Sequence, residues 1–154
     1  MSAAFPTTGR IAGIDFGTVR IGVALTDAGR VLSSPHDNYT RRDELADRRY
    51  FQELARQEDL VGFVVGLPVH LSGDESEKSL EARRFGKWLA QITGLPVRYY
   101  DERFSSRQAD LIMGMANTTR KKKKKSRDKL AAQILLAAFL ESGGQDDATH
   151  ALDD

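Results

Sequence analysis

A single α/β domain built on a mixed five-stranded sheet, with three antiparallel strands followed by two parallel ones and helices flanking them, is what three features of this sequence predict. Its 154 residues suit one hydrophobic core and leave little room for a second. Near the amino terminus, apolar strand-like runs follow one another across short glycine-containing turns, as in an antiparallel meander. Farther on, strand and helix patterns alternate, and Leu60-Val61-Gly62-Phe63-Val64-Val65-Gly66 is apolar throughout, as in a strand covered on both faces.

The first strand is predicted over Arg10 to Phe16 and the second over Ile21 to Thr26. Asp27-Ala28-Gly29 reads as a hairpin turn into a third strand over Arg30 to Ser33. A helix follows over Asp43 to Gln57, where Ala46, Tyr50, Phe51, Leu54 and Ala55 recur at helical spacing. The fourth strand, Leu60 to Gly66, is stopped by Pro68. After the polar loop from Val69 to Gly73, Asp74 with Glu77 three residues on caps a helix over Glu75 to Ile92. Its inner stripe is Phe85, Trp88, Leu89 and Ile92.

Gly94 and Pro96 break that helix, and Pro96 to Tyr100 forms a fifth strand that delivers Asp101-Glu102-Arg103 at its end. Ser105 with Gln108 opens a short helix to about Met115. The last helix runs from Arg127 to Ser142, with Leu130, Ile134, Leu135, Ala138 and Phe139 inward and Gly143-Gly144 as its stop. Residues 1–8 and 144–154 have little to bury and are expected to be disordered, which confines the folded domain to residues 9–143.

Composition excludes several functional classes. No run approaches the roughly 18 apolar residues of a membrane span, and Met1-Ser2-Ala3-Ala4-Phe5-Pro6 lacks the regions of a signal peptide, so a cytoplasmic protein with no membrane partner is expected. The absence of cysteine excludes disulfides and thiolate metal sites. His36, His70 and His150 lie far apart and in no ligand spacing, which argues against zinc. The net charge of +1 hides an asymmetry: eight basic residues and one acid fall between Arg120 and Lys129, against 15 basic and 21 acidic residues elsewhere.

Chemistry is expected first at Asp15. A carboxylate inside the apolar run Ile11 to Leu25 would cost several kcal/mol if desolvated without a partner, so it faces cations, donors or a wet cleft. Glu102 just past the fifth strand and Asp128 in the first turn of the last helix occupy comparable places, since ligands of open α/β sheets gather at strand ends. Three hard oxygen donors without histidine or cysteine suit Mg²⁺ or Mn²⁺. Two such ions activate water and stabilise a leaving oxygen in phosphodiester hydrolysis. The run Lys121-Lys122-Lys123-Lys124-Lys125, too densely charged to be buried, reads as a loop that contacts nucleic-acid phosphates beside Asp128. Arg20, Arg103, Arg120 and Arg127 complete the expected nucleic-acid contacts.

At these residues the chain resembles a known family. Ile14-Asp15-Phe16-Gly17-Thr18-Val19-Arg20-Ile21-Gly22-Val23-Ala24, then Val65-Gly66-Leu67-Pro68 with Gly73, then Asp101-Glu102-Arg103-Phe104-Ser105-Ser106, and last Asp128 leading Ala131-Ala132-Gln133-Ile134-Leu135-Leu136, look like the YqgF or RuvX-like family. Those proteins are described as pre-16S rRNA nucleases and once went by the name of Holliday junction resolvases. The resemblance spans about Gly9 to Ser142. It implies an RNase H-like fold, Asp15, Glu102 and Asp128 as metal-binding catalytic carboxylates, and a role in maturing the 5′ end of 16S rRNA on the pre-ribosomal particle. Where the family usually has an apolar residue before the last acid, this chain has Arg127 and the lysine run.

Competing readings stand beside these. Asp15 could bind the amides of the Gly17 turn; Glu102 could pair with Arg103 or Arg107; Asp128 could favour the positive end of its helix. Asp101 is the adjacent rival of Glu102. At the level of the whole protein, the alternatives are an RNA-binding assembly factor without catalysis, a nuclease for structured DNA that acts as a dimer rather than a monomer, and an ATPase or sugar kinase, whose phosphate hairpin Asp15-Phe16-Gly17-Thr18 also resembles.

Overall fold

The computed structural model describes residues 5–68, 77–101 and 127–143, the first two residues of the last stretch by their backbone alone. Five strands, β1 (Arg10–Asp15), β2 (Arg20–Thr26), β3 (Ser33–Thr40), β4 (Leu60–Leu67) and β5 (Val97–Asp101), form one sheet in the order β3-β2-β1-β4-β5. The three amino-terminal strands are antiparallel, whereas β1, β4 and β5 run parallel, as the sequence pattern predicts. Helices α1 (Glu44–Gln57) and α2 (Glu77–Thr93) cover one face and α3 (Arg127–Glu141) the other.

Each boundary has a local cause. The Asp43 carboxylate accepts from the Ala46 amide and caps α1. Strand alternation sends Ile14, Ile21, Val23, Phe63, Val65 and Leu67 toward α1 and α2, where Phe51, Phe85 and Leu89 meet them. The intervening residues Ile11, Ala24, Val64 and Tyr100 meet Ala132, Leu135, Leu136 and Phe139 of α3. Gly13 fixes how closely α3 approaches: a Cβ there would stand 2.9 Å from the Leu136 Cβ and 3.1 Å from the Ala132 carbonyl oxygen.

Three expectations need correction. The third strand lies at Ser33–Thr40 rather than Arg30 to Ser33. Asp27 takes the amides of Val31 (2.9 Å) and Leu32 (2.7 Å) onto its carboxylate and widens the turn. The strand that follows, Ser-Ser-Pro-His-Asp-Asn-Tyr-Thr, is polar because it is an edge, and Pro35 is tolerated at a shift of register opposite β2.

On α3, Ala132 and Leu136 are buried while Leu130 and Ile134 are only partly so, because the small Ala132 lets the helix seat against Gly13. Finally, residues 5–8, expected to be disordered, make specific contacts: Phe5 and Pro6 are half-buried, and Thr7 and Thr8 are exposed. Arg30, at a left-handed φ of 57°, donates to the carbonyls of Gly9 (2.8 Å), Pro6 (2.5 Å) and Thr8 (3.2 Å). Phe5 packs edge-on against Phe139. The left-handed backbone costs on the order of 1 kcal/mol, which the three carbonyl bonds offset. The expected cap at Asp74, the short helix from Ser105 and the tail 144–154 lie outside the described residues.

Candidate active site at the carboxyl end of the sheet

Because β1, β4 and β5 are parallel, their carboxyl ends share one edge. Asp15, the last residue of β1, pairs with Gly22 of β2, and Gly22 pairs with Asn38 of β3. On the other side, Ile14 pairs with Val65 and Val65 with Tyr99, so the next row along β4 and β5 is Gly66 and Tyr100. Asp15 is half-buried and alternates with Ile14, which puts it on the α3 face with Ile11 and Gly13. Gly22 and Gly66 flank it with no side chains, the condition under which a ligand or a second backbone can approach a strand closely.

Helix α3 begins over this same row. The Lys129 amide donates to the Asn38 Oδ1 at 2.6 Å, and Gln133 and Ser33 exchange side-chain to backbone bonds of 3.0 and 3.4 Å. Asp128 therefore occupies the first turn of a helix tied to the row that holds Asp15, one turn ahead of Ala132 on the sheet-facing stripe. Its side chain, like that of Arg127, lies outside the described atoms. Arg20 opens β2 at this edge, exposed, two residues before Gly22. Glu102, Arg103, Arg120 and Lys121 to Lys125 lie outside the described residues.

Asp101 is separated from Asp15. It pairs with Leu67, whose side chain enters the α1 and α2 core, and is itself 2% exposed. Paired residues of neighbouring strands share a face, so the Asp101 and Asp15 side chains leave the sheet in opposite directions.

One feature escaped sequence reasoning. Asp47 of α1 is buried and accepts from the Tyr39 hydroxyl (2.6 Å), the Arg42 amide (2.9 Å) and the Arg41 Nε (3.3 Å). Desolvation, reinforced by the bond to Asp47, pushes the Tyr39 phenol up to about 12. Burial and a 2.6 Å bond to Asp37 raise the Tyr50 phenol as well. An acid on the stripe shared by Phe51 and Leu54 is the signal that could have flagged Asp47.

The loop that Asp47 fixes is tied to the β1–β2 turn by the Arg41 amide on the Val19 carbonyl, 2.9 Å. Gly17 makes that turn tight, since a Cβ there would strike the Arg20 carbonyl oxygen. Beside the turn lies a cleft of about 440 Å³ that includes Phe16, Thr18, Arg41, Arg42, Arg84 and Trp88 among its walls.

Solved structures with this architecture include the RuvC of T. thermophilus in complex with a Holliday junction substrate, with a TM-score of 0.57 at 13% identity over 88% of this chain and 97% of that one. The yeast mitochondrial Holliday junction resolvase Ydc2 matches with a TM-score of 0.52 at 9% identity, covering 97% and 85%. Both likenesses establish the fold, which is RNase H-like. In sequence, the chain is 48% identical over 138 residues to a protein of Rhodopirellula baltica named "Putative pre-16S rRNA nuclease", spanning 90% of this chain and 80% of that one. A protein of Koribacter versatilis with the same name is 36% identical, spanning 90% of each. The profile of one family, described as RuvX, Holliday junction resolvase, matches residues 9–142. With that match covering both the Asp15 strand and the helix that begins beside it, the chain belongs to the RuvX family.

Proposed function

We propose that this protein is a metal-dependent nuclease that hydrolyses phosphodiester bonds of precursor 16S rRNA during ribosome assembly in the cytoplasm. The observation that carries it is the row Asp15, Gly22, Asn38 with the start of α3 fastened above it. On this reading Asp15 and Asp128, from distant parts of the chain, act together at one glycine-flanked edge. The names of the relatives supply the substrate.

Asp15, Glu102 and Asp128 are the residues proposed to hold Mg²⁺ or Mn²⁺. Asp15 fits a hard cation: it is a half-buried carboxylate, and its row neighbours in β2 and β4 are the glycines Gly22 and Gly66. The direction of Asp101 to the other face supports Glu102 as the acid at the end of β5. Two strand spacings, about 10 Å, separate the backbones of β1 and β5, within reach of two acidic side chains converging on one ligand. When bound, such ions supply an activated water and charge neutralisation at the phosphoryl oxygens. Arg20 and the lysine run would hold the RNA backbone by its phosphates, without sequence readout.

The test is cleavage of a precursor 16S rRNA fragment with Mg²⁺ or Mn²⁺. Several kcal/mol of lost charge stabilisation corresponds to a rate lower by about a thousandfold in Asp15→Asn, with its unfolding curve unchanged. Equal cleavage by the two proteins overturns the assignment. Salt-sensitive RNA binding with no cleavage by either leaves an RNA-binding assembly factor. The family description favours one second reading, a Holliday junction resolvase, so a four-way DNA junction belongs in the same assay. Cutting of the junction but not of the rRNA selects it.

A further inference from the structure

The cleft beside the β1–β2 turn lies on the opposite side of the sheet from Asp15, yet it begins at the next residue. Phe16 follows Asp15 directly and packs against Phe85 with ring centroids 4.9 Å apart, and Phe85 packs against Trp88 at 5.3 Å. These rings line a cleft of about 440 Å³. The Arg41 guanidinium lies over both Phe16 (5.4 Å) and Phe85 (5.8 Å) while its Nε is held by buried Asp47.

Acids line the cleft too, but two of them are already engaged. Glu44 accepts from the Trp88 Nε1 at 3.0 Å and pairs with Arg48, and Asp47 is taken up by Tyr39 and the Arg41–Arg42 loop. Arg84, exposed on the rim, makes no hydrogen bond or ion pair among the described residues, and Arg42 is exposed as well. The cleft thus combines an aromatic wall, one guanidinium lying on that wall and two at the solvent side, opposed by Glu81. Flat rings beside cations are the chemistry that receives an unpaired base and its phosphate, and a paired base cannot offer its face in this way.

We propose that this cleft holds an unpaired nucleotide of the RNA substrate, its base on the half-exposed Trp88 ring and the Arg41 guanidinium plane and its phosphate at Arg42 and Arg84, while the neighbouring phosphodiester crosses the sheet edge to Asp15. The assignment deepens the nuclease function and rests on it for the identity of the strand. Asp47 and the Arg41–Val19 bond act as positioning elements that hold the arginine loop against the β1–β2 turn.

Trp88 is the sole tryptophan, so its emission reports on the cleft alone. A short single-stranded oligoadenylate titrated into the intact protein is expected to quench that emission saturably. The same strand paired with oligouridylate is expected to quench far less. Charge reversal in Arg84→Glu, and separately Arg42→Ala, is expected to weaken the quenching isotherm roughly tenfold, the size of one lost base or phosphate contact. Asp15→Asn is expected to leave it intact. Absence of quenching, or quenching equal for single and paired strands or indifferent to both arginine variants, overturns the proposal. Saturable quenching in a protein that cleaves nothing keeps the cleft and discards the nuclease; cleavage without quenching does the reverse.

Discussion

The two faces of the sheet are built from the same five strands for different ends. Toward α1 and α2 the strands present Ile14, Ile21, Val23, Phe63, Val65 and Leu67, and these meet a set of rings in which Phe51 touches Phe85 at 5.5 Å and Trp88 at 6.2 Å. Toward α3 the side chains are fewer and smaller, and four glycines, Gly13, Gly22, Gly62 and Gly66, fall on that face. Gly13 admits a helix, Gly62 admits the Phe5 ring, and Gly22 and Gly66 flank Asp15 without side chains. The larger apolar cluster is on the first face, while the second gives up apolar contact at its carboxyl end, where the proposed site lies.

Three experiments press on that contrast. The largest loss of stability is expected on the ring-filled face. Truncating fully buried Phe51 to alanine removes a side chain that packs against the rings of Tyr39, Tyr50, Phe85 and Trp88, at about 4 kcal/mol. Urea unfolding measures it, and the protein that remains folded should cleave at the wild-type rate.

Gly13→Val is expected to invert that pattern. Its side chain would meet the Leu136 Cβ and the Ala132 carbonyl, so α3 must shift at about 2 kcal/mol. Displacing the first turn of α3 should lower cleavage by folded protein about a hundredfold. A Gly13→Val protein of normal activity would mean that the seating of α3 does not set the site.

The smallest effect is in alkali. The Tyr39 phenol, ordinarily near 10.0, sits at about 12, so the folded state disfavours phenolate. Stability should hold up to about pH 10 and then fall as pH rises toward 12, because the unfolded chain loses that proton first. Tyr50, raised by burial, adds to the same slope. Denaturant midpoints at stepped pH check it, and a level profile through that window counts against the Tyr39–Asp47 contact.

Much of the architecture is legible because burial writes itself into periodicity. The runs Ile11 to Asp15 and Leu60 to Leu67 are apolar since helices cover both of their faces. An edge strand has no such obligation, so Ser33 to Thr40 carries no apolar signature, and the sequence pattern places it several residues too soon. On α3, hydrophobicity alone does not mark the inner stripe: Ala132 and Leu136 lie against the sheet, where Gly13 takes the Ala132 carbonyl and the Leu136 side chain, and Ile134 is only partly buried.

Asp15 can be found from chemistry, as an acid in a strand that otherwise reads as core. Glu102 and Asp128 cannot, since an acid after a strand or in a first helical turn is ordinary, and only the family resemblance singles them out. The aromatic cleft is hidden for another reason. Its walls come from the β1–β2 turn, the β3–α1 loop and α2, which no local pattern connects.

Arg30 has a practical bearing beyond its three carbonyl bonds. It lashes Pro6 to Gly9 across the amino-terminal end of β1, while Asp15 lies at the other end of that strand, about 17 Å away at five extended residues. A purification handle or surface anchor fused ahead of Phe5 is therefore attached at the pole remote from Asp15, so an immobilised protein keeps the proposed site open to a bulky nucleic-acid ligand.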